Sequence, residues 1–148
     1  MTIYPNVFSI SDLKIGYKER FIFQIDEKMM LDFEKISGDS NPLHVNSSFA
    51  ISRGYHGKVV YGALLIAKVS KMLGMKLPGR DSVWTNASIS FLKPLYVGEE
   101  AELLAEINHV SKSTSSVELL IKIFSIKEKT LKVRGKVNTL ITNFINKK

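Results

Sequence analysis

Asp39 and His44 stand five positions apart in the stretch Ile36-Ser37-Gly38-Asp39-Ser40-Asn41-Pro42-Leu43-His44. A carboxylate and an imidazole at that spacing are suited to proton transfer, because the imidazole titrates near neutral pH and the carboxylate can orient it or share the proton. Gly38, Asn41 and Pro42 break helices and shape turns, so the pair lies on a loop. Spacing alone leaves a second reading open. The stretch also reads as an ordinary turn in which the Asp39 side chain bonds its own backbone.

The loop needs elements on both sides to hold it. Upstream, Lys18 to Ile25 reads as a strand, with Phe21, Phe23 and Ile25 alternating against polar or smaller residues. Asp26 is placed as an N-cap and Glu27 in a first turn. Met29, Met30, Phe33 and Ile36 then follow at helical spacing, which predicts a helix over residues 27–37 stopped by Gly38. Downstream, Asn46 and Ser47 can cap a short helical turn to Ser52. Gly62 to Leu73 is apolar nearly all round, broken only by Lys68, Ser70 and Lys71, and so predicts a buried helix. Gly74 is expected to end it, and Pro78-Gly79 to turn the chain. Tyr61-Gly62 forms its N-terminus, where backbone N–H groups are free and the macrodipole is positive.

From Ser82 the period changes to two. Val83, Thr85, Ala87, Ile89 and Phe91 alternate in one strand, and further alternating runs cover residues 101–107, 117–123 and 131–141. The sum is an α+β layer, an antiparallel sheet with helices on one side. The simplest packing wraps that sheet around the apolar helix. One curved sheet covers such a helix only in part, which points to a partner subunit.

The chain has 148 residues, 45% of them hydrophobic and 24% charged, which fits one globular domain over residues 1–148 with no linker or repeat. It has no cysteine, which excludes disulfides and thiolate chemistry, and its three scattered histidines do not make a zinc site. No metal is expected. Met1 to Asp12 does not read as a signal peptide, and the apolar run Val59 to Ala67 is far shorter than a membrane span. The expectation is a soluble, cytoplasmic protein with no membrane partner. The net charge of +7 is dispersed, with short basic runs at Lys127/Lys129, Lys132-Arg134-Lys136 and Lys147-Lys148. No basic stripe or aromatic-basic cluster suits nucleic acid, so no nucleic-acid partner is expected. Glutamates on neighbouring strands can pair with Lys132, Arg134 and Lys136, while a polyanionic ligand remains the functional reading of the surplus charge.

The run Ser37 to His44, with Ala50 six residues later, resembles the motif of the MaoC-like (R)-specific enoyl-CoA hydratases (hydratase 2). The resemblance continues through Val59-Val60-Tyr61-Gly62, the apolar helix, Leu73-Gly74 to Leu77-Pro78-Gly79, and Ser90-Phe91-Leu92-Lys93-Pro94-Leu95-Tyr96-Val97-Gly98-Glu99. It implies a hotdog fold, an antiparallel sheet wrapped around a long buried central helix, working as a homodimer or a dimer of dimers. It also implies reversible addition of water to a trans-2-enoyl thioester carried on coenzyme A or an acyl carrier, with no cofactor beyond that carrier.

By the same resemblance Asp39 and His44 are the acid–base pair that holds the water, and the Gly62 N–H is the oxyanion donor. Asn41, Tyr61 and Ser70 fall at positions that shape or line the substrate site. Ser70 can equally bond back to its own helix. Arg53, Lys58 and Lys93 flank the matched segments and are candidates for the carrier's phosphates, whereas His56 and His109 match nothing catalytic. The usual His-Gly-Met at the head of the central helix is Tyr61-Gly62-Ala63 here, which keeps the glycine and alters the frame of the pocket. A hotdog acyl-CoA thioesterase and a non-catalytic acyl-thioester binding module are the competing readings.

Overall fold

The computed structural model describes residues 3–142; Met1, the first residue of the expected 1–148 domain, and the terminal Lys147-Lys148 run lie outside the described residues. Strand β1 (Lys18–Gln24) leads into helix α1 (Glu27–Ser37). Asp26 caps α1, its carboxylate accepting from Met29 N at 2.8 Å. Gly38 ends it with φ 73°, a left-handed conformation that suits glycine, and its N–H donates to the Glu34 carbonyl. Two short helices follow, α2 (Pro42–Val45) and α3 (Ser47–Ser52), so the expected loop contains one helical turn. Asn46 caps α3 as expected, accepting from Phe49 N at 2.9 Å.

Helix α4 (Gly62–Lys71) is the central helix. Gly74 does not end it; Met72–Lys76 continue as a π-helical segment that stops at Leu77. Four long strands follow: β2 (Ser82–Phe91), β3 (Glu100–Ser111), β4 (Ser116–Ser125) and β5 (Leu131–Ile141). The sheet is antiparallel throughout in the order β1-β3-β4-β5-β2. Ala101, Leu103, Ala105 and Ile107 of β3, with Leu119, Ile121 and Ile123 of β4, pack inward on Leu65, Val69, Met72 and Leu73. This is the sheet-on-helix arrangement of a hotdog fold. No helix among the described residues is long and apolar enough to cross a membrane.

Three expectations change. Helix α4 is not buried all round: Leu65 and Val69 are buried, while Ala63, Ala67, Ser70 and Lys71 are exposed, because the sheet covers one face only. Ile36, expected on the apolar stripe of α1, is 83% exposed in the last turn, beyond the reach of the core. The alternation in β2 fails because its register with β5 slips between Trp84 and Asn86. That bulge turns Trp84 inward and leaves Val83 exposed. Of the expected cross-strand charge pairs, Lys136–Glu118 forms (3.4 Å), while Arg134 makes no ion pair among the described residues; Lys18–Glu106 (3.6 Å) pairs across β1 and β3 in addition. Lys132 is instead buried between Glu128 (2.6 Å) and Glu99 (3.5 Å).

Candidate active site

The turn after α1 is built by its own side chains. Asp39 Oδ1 accepts from Asn41 N at 3.0 Å, and Asn41 Oδ1 accepts from Leu43 N at 3.0 Å, capping α2. The turn reading of Asp39 is therefore realised, and it leaves Oδ2 without a hydrogen bond among the described residues. Asp39 also donates its N–H to Ser37 Oγ at 3.1 Å. Pro42 occupies the first turn of α2, where its missing N–H costs nothing. That turn swings His44 inward to half-buried.

His44 Nδ1–H donates to the Val59 carbonyl at 2.7 Å. Its ring stacks on Tyr61, with centroids 4.1 Å apart and planes 30° apart. Tyr61 is buried, packs against Phe33 at 4.7 Å, and donates its hydroxyl to the Asp39 carbonyl at 2.6 Å. Burial holds the Tyr61 phenol above its ordinary pKa, and the nearby charges of Asp39 and Glu34 push the same way.

Gly62 begins α4, and its N–H has no intrahelical acceptor. A Cβ at Gly62 would lie 3.0 Å from Phe91 Cζ, so glycine keeps this helix end open under the Phe91 ring. His44 and Gly62 line one cavity of about 350 Å³, walled by Val59, Leu65 and the segment Phe91 to Leu95. Lys93, exposed to solvent, also lines it. A half-buried imidazole and a helix N-terminus facing one partly apolar cavity can move a proton and stabilise negative charge on an oxygen.

The six residues singled out from the sequence do not all meet. His44 and Gly62 line the cavity; Asp39 is tied to it through Tyr61; Asn41 is committed to capping α2. Ser70 is exposed, just over two turns from Gly62 and about 12 Å along the axis, outside this cavity. It carries no side-chain hydrogen bond back to its helix among the described residues. Of the three flanking cations, Lys58 pairs with Glu27, Arg53 lies over the Phe49 ring at 4.9 Å, and Lys93 alone faces the cavity. His56 stacks on Tyr96 at 5.2 Å and lines a separate cavity of about 520 Å³ with Glu27, Lys58 and Glu99.

Sequence reasoning missed Tyr55, the Val59 carbonyl and the Phe91 ring as parts of the site. Phe91 lies within the matched run Ser90 to Glu99 and was findable there. The Val59 contribution is a backbone oxygen, which residue type does not signal. Among the described residues no group of three or more His, Asp or Glu side chains is placed to hold a metal ion.

A family model described as MaoC like domain matches residues 13–124. An (R)-specific enoyl-CoA hydratase of Aeromonas caviae is 31% identical over 117 residues, 79% of this chain and 87% of that protein. A 3-hydroxybutyryl-CoA dehydratase of Methylorubrum extorquens is 28% identical over 101 residues, 68% of this chain and 64% of that protein. The solved (R)-hydratase from A. caviae superposes with a TM-score of 0.83 at 29% identity, covering 87% of this chain and 97% of that one. An unliganded R-hydratase from Pseudomonas aeruginosa gives 0.84 at 20% identity, covering 92% and 86%, a likeness of fold alone. The matched segment contains the Asp39–His44 turn, the head of α4 and the wall from Phe91 to Leu95, and the chain belongs to the MaoC-like domain family.

Proposed function

We propose that this chain is an (R)-specific enoyl-CoA hydratase, a hydro-lyase that adds water reversibly across a trans-2-enoyl thioester. The observation that carries the reading is the single cavity lined by both His44 and Gly62, the first residue of α4. The activities named for the relatives in A. caviae and M. extorquens agree with it.

Hydration joins a water oxygen to the β-carbon and delivers a proton to the α-carbon, through negative charge on the thioester oxygen. His44 Nδ1 carries its proton toward Val59, so Nε2 of the neutral ring is the basic nitrogen. It takes a proton from the water as the C–O bond forms. The role the resemblance gives Asp39 is to share the proton work through Oδ2, the carboxylate oxygen its turn leaves free, and the conjugate acid of the pair protonates the α-carbon. The Gly62 N–H stabilises the enolate-like oxygen, helped by the positive end of α4. In the dehydration direction each proton retraces its path. No cofactor is required beyond the carrier of the thioester. Lys93, an exposed residue of the cavity lining, is the cation best placed for an anionic carrier.

The same reading makes the working form a cytoplasmic homodimer. Support comes from the uncovered face of α4 at Ala63, Ala67 and Ser70, and from β2, a sheet edge with exposed Val83 and Phe91.

The deciding experiment offers trans-2-enoyl-CoA thioesters of graded length and branching. Loss of enoyl absorbance with an (R)-3-hydroxyacyl product supports the assignment. Release of free thiol without hydration makes the protein a thioesterase, and binding without turnover makes it a binding module.

A further inference from the structure

Tyr61 belongs to the head of the central helix by sequence and to the Asp39–His44 turn by contact. It is 2% exposed and is not among the residues lining the cavity, so its ring does not face a substrate there. Each part of the side chain is committed. The hydroxyl donates to the Asp39 carbonyl at 2.6 Å, one ring contact is the His44 stack at 4.1 Å, and another is Phe33 at 4.7 Å.

Gly38 to Asn41 are all exposed. The other hydrogen bonds of Asp39 run to Ser37 and Asn41, inside its own turn. Among the described residues the Tyr61 hydroxyl is the hydrogen bond that anchors Asp39 to the rest of the fold. The backbone on either side of Tyr61 is fixed in turn, with Val60 N donating to the Leu95 carbonyl at 2.9 Å and Leu64 N to the Tyr61 carbonyl at 3.0 Å. The next residue along is Gly62. One side chain thus connects the carboxylate turn, the imidazole and the helix end.

We propose that Tyr61 is a positioning residue of this site, its hydroxyl fixing the Asp39 backbone and its ring fixing the His44 imidazole relative to the Gly62 N–H. The proposal rests on the hydratase reading above for its kinetic consequence, though not for its structural one. It replaces the substrate-binding role expected for Tyr61 from sequence.

Tyr61→Phe removes the hydroxyl and keeps both ring contacts. With trans-2-butenoyl-CoA, kcat is expected to fall roughly ten- to a hundredfold with KM within about twofold of wild type, as for a displaced catalytic group. Backbone amides of residues 39–41 and of Leu43 should exchange hydrogen faster in the variant, while those of β3 and β4 keep their protection. Tyr61→Leu, which also loses the stack, should lower kcat further; if it fails to fold, the Phe variant decides alone. Wild-type kcat in a folded Tyr61→Phe, a loss confined to KM, or unchanged exchange at residues 39–41 and Leu43 overturns the proposal. If the wild-type protein hydrates no enoyl-CoA, the hydratase reading falls, and the exchange measurement still decides whether Tyr61 anchors the turn.

Discussion

Nδ1 of His44 lies 2.7 Å from the carbonyl oxygen of Val59. A carbonyl only accepts, so the proton sits on Nδ1 and the neutral ring presents Nε2 as a base. Val59 is itself held on both sides, by Val59 N donating to the Leu43 carbonyl at 3.0 Å and by a bridge to Tyr96. The imidazole is thereby oriented before any substrate arrives. His44→Ala should lower hydration roughly 10²–10⁴-fold, the usual range for an acid–base group. A variant with wild-type kcat/KM removes His44 from the chemistry.

Asp39→Asn tests the carboxylate without unmaking its turn. An amide oxygen can still accept from Asn41 N, so the local hydrogen bond at 3.0 Å is preserved. What disappears is the charge and the basicity. Hydration should fall by about two orders of magnitude or more, with an unchanged circular dichroism spectrum and melting curve. Equal activity would leave Asp39 as a turn residue only.

Gly62→Ala places a methyl group about where the Phe91 ring now rests, with Cζ at 3.0 Å and Cε1 at 3.1 Å. Phe91 is 50% exposed and can swing aside, so the fold should survive. The cavity over the Gly62 N–H narrows all the same. We expect kcat/KM to drop roughly tenfold or more, in line with partial loss of one oxyanion donor. Adding Phe91→Ala should recover part of the loss by making room for the methyl. Two independent, additive losses would show that the ring and the glycine do not share a job.

Local chemistry made much of this legible from sequence. Asp26 as a cap, Gly38 as a stop, and the alternation in β3, β4 and β5 each carry their cause in neighbouring residue types. The Asp39–His44 turn was readable for the same reason. Contacts that depend on register or on backbone atoms were not. The face that Val83 and Trp84 present follows from a bulge between Trp84 and Asn86, which residue types do not mark. Helix α4 is apolar by composition, yet only the sheet-facing side is covered, because the chain supplies one sheet. The ring of Phe91 meets Gly62 across 29 positions of sequence, through the pairing of β2 with β5.

Alkaline titration should expose the burial of Tyr61. Its phenol keeps its proton above the ordinary value, burial being the main cause and the charges of Asp39 and Glu34 the lesser ones. The unfolded chain releases this proton near pH ~10. The stabilisation is therefore fully present below that point and is lost as pH rises through the higher folded-state value. Wild type should lose stability relative to Tyr61→Phe above about pH 10. Urea midpoints of the two proteins, followed from neutral pH upward, measure it. A constant difference between them contradicts the sign argued here.

Lys132 is the strongest test of how the cavity wall is supported. Its side chain is 3% exposed and meets Glu128 at 2.6 Å, while Glu99 stands 3.5 Å away. Glu99 Oε2 accepts from Tyr96 N at 3.0 Å, but Oε1 is buried with no hydrogen bond, so the lysine charge is what offsets it. The backbone oxygen of Lys132 accepts from Leu92 N at 2.8 Å and Lys93 N at 3.2 Å, which holds the wall beside His44. Lys132→Met conserves most of the volume and strands Glu99 without a counter-charge. Removing one partner of a buried ion pair costs about 3–5 kcal/mol, and the lower end applies because Glu128 is 40% exposed and stays hydrated. Glu99→Gln should cost less, since Lys132 keeps Glu128 and the amide oxygen still accepts from Tyr96. The double variant should be more stable than Lys132→Met, because no uncompensated carboxylate remains at position 99. Denaturant midpoints of the three variants decide the matter, and a Lys132→Met protein as stable as wild type would mean that water, not the lysine, compensates Glu99.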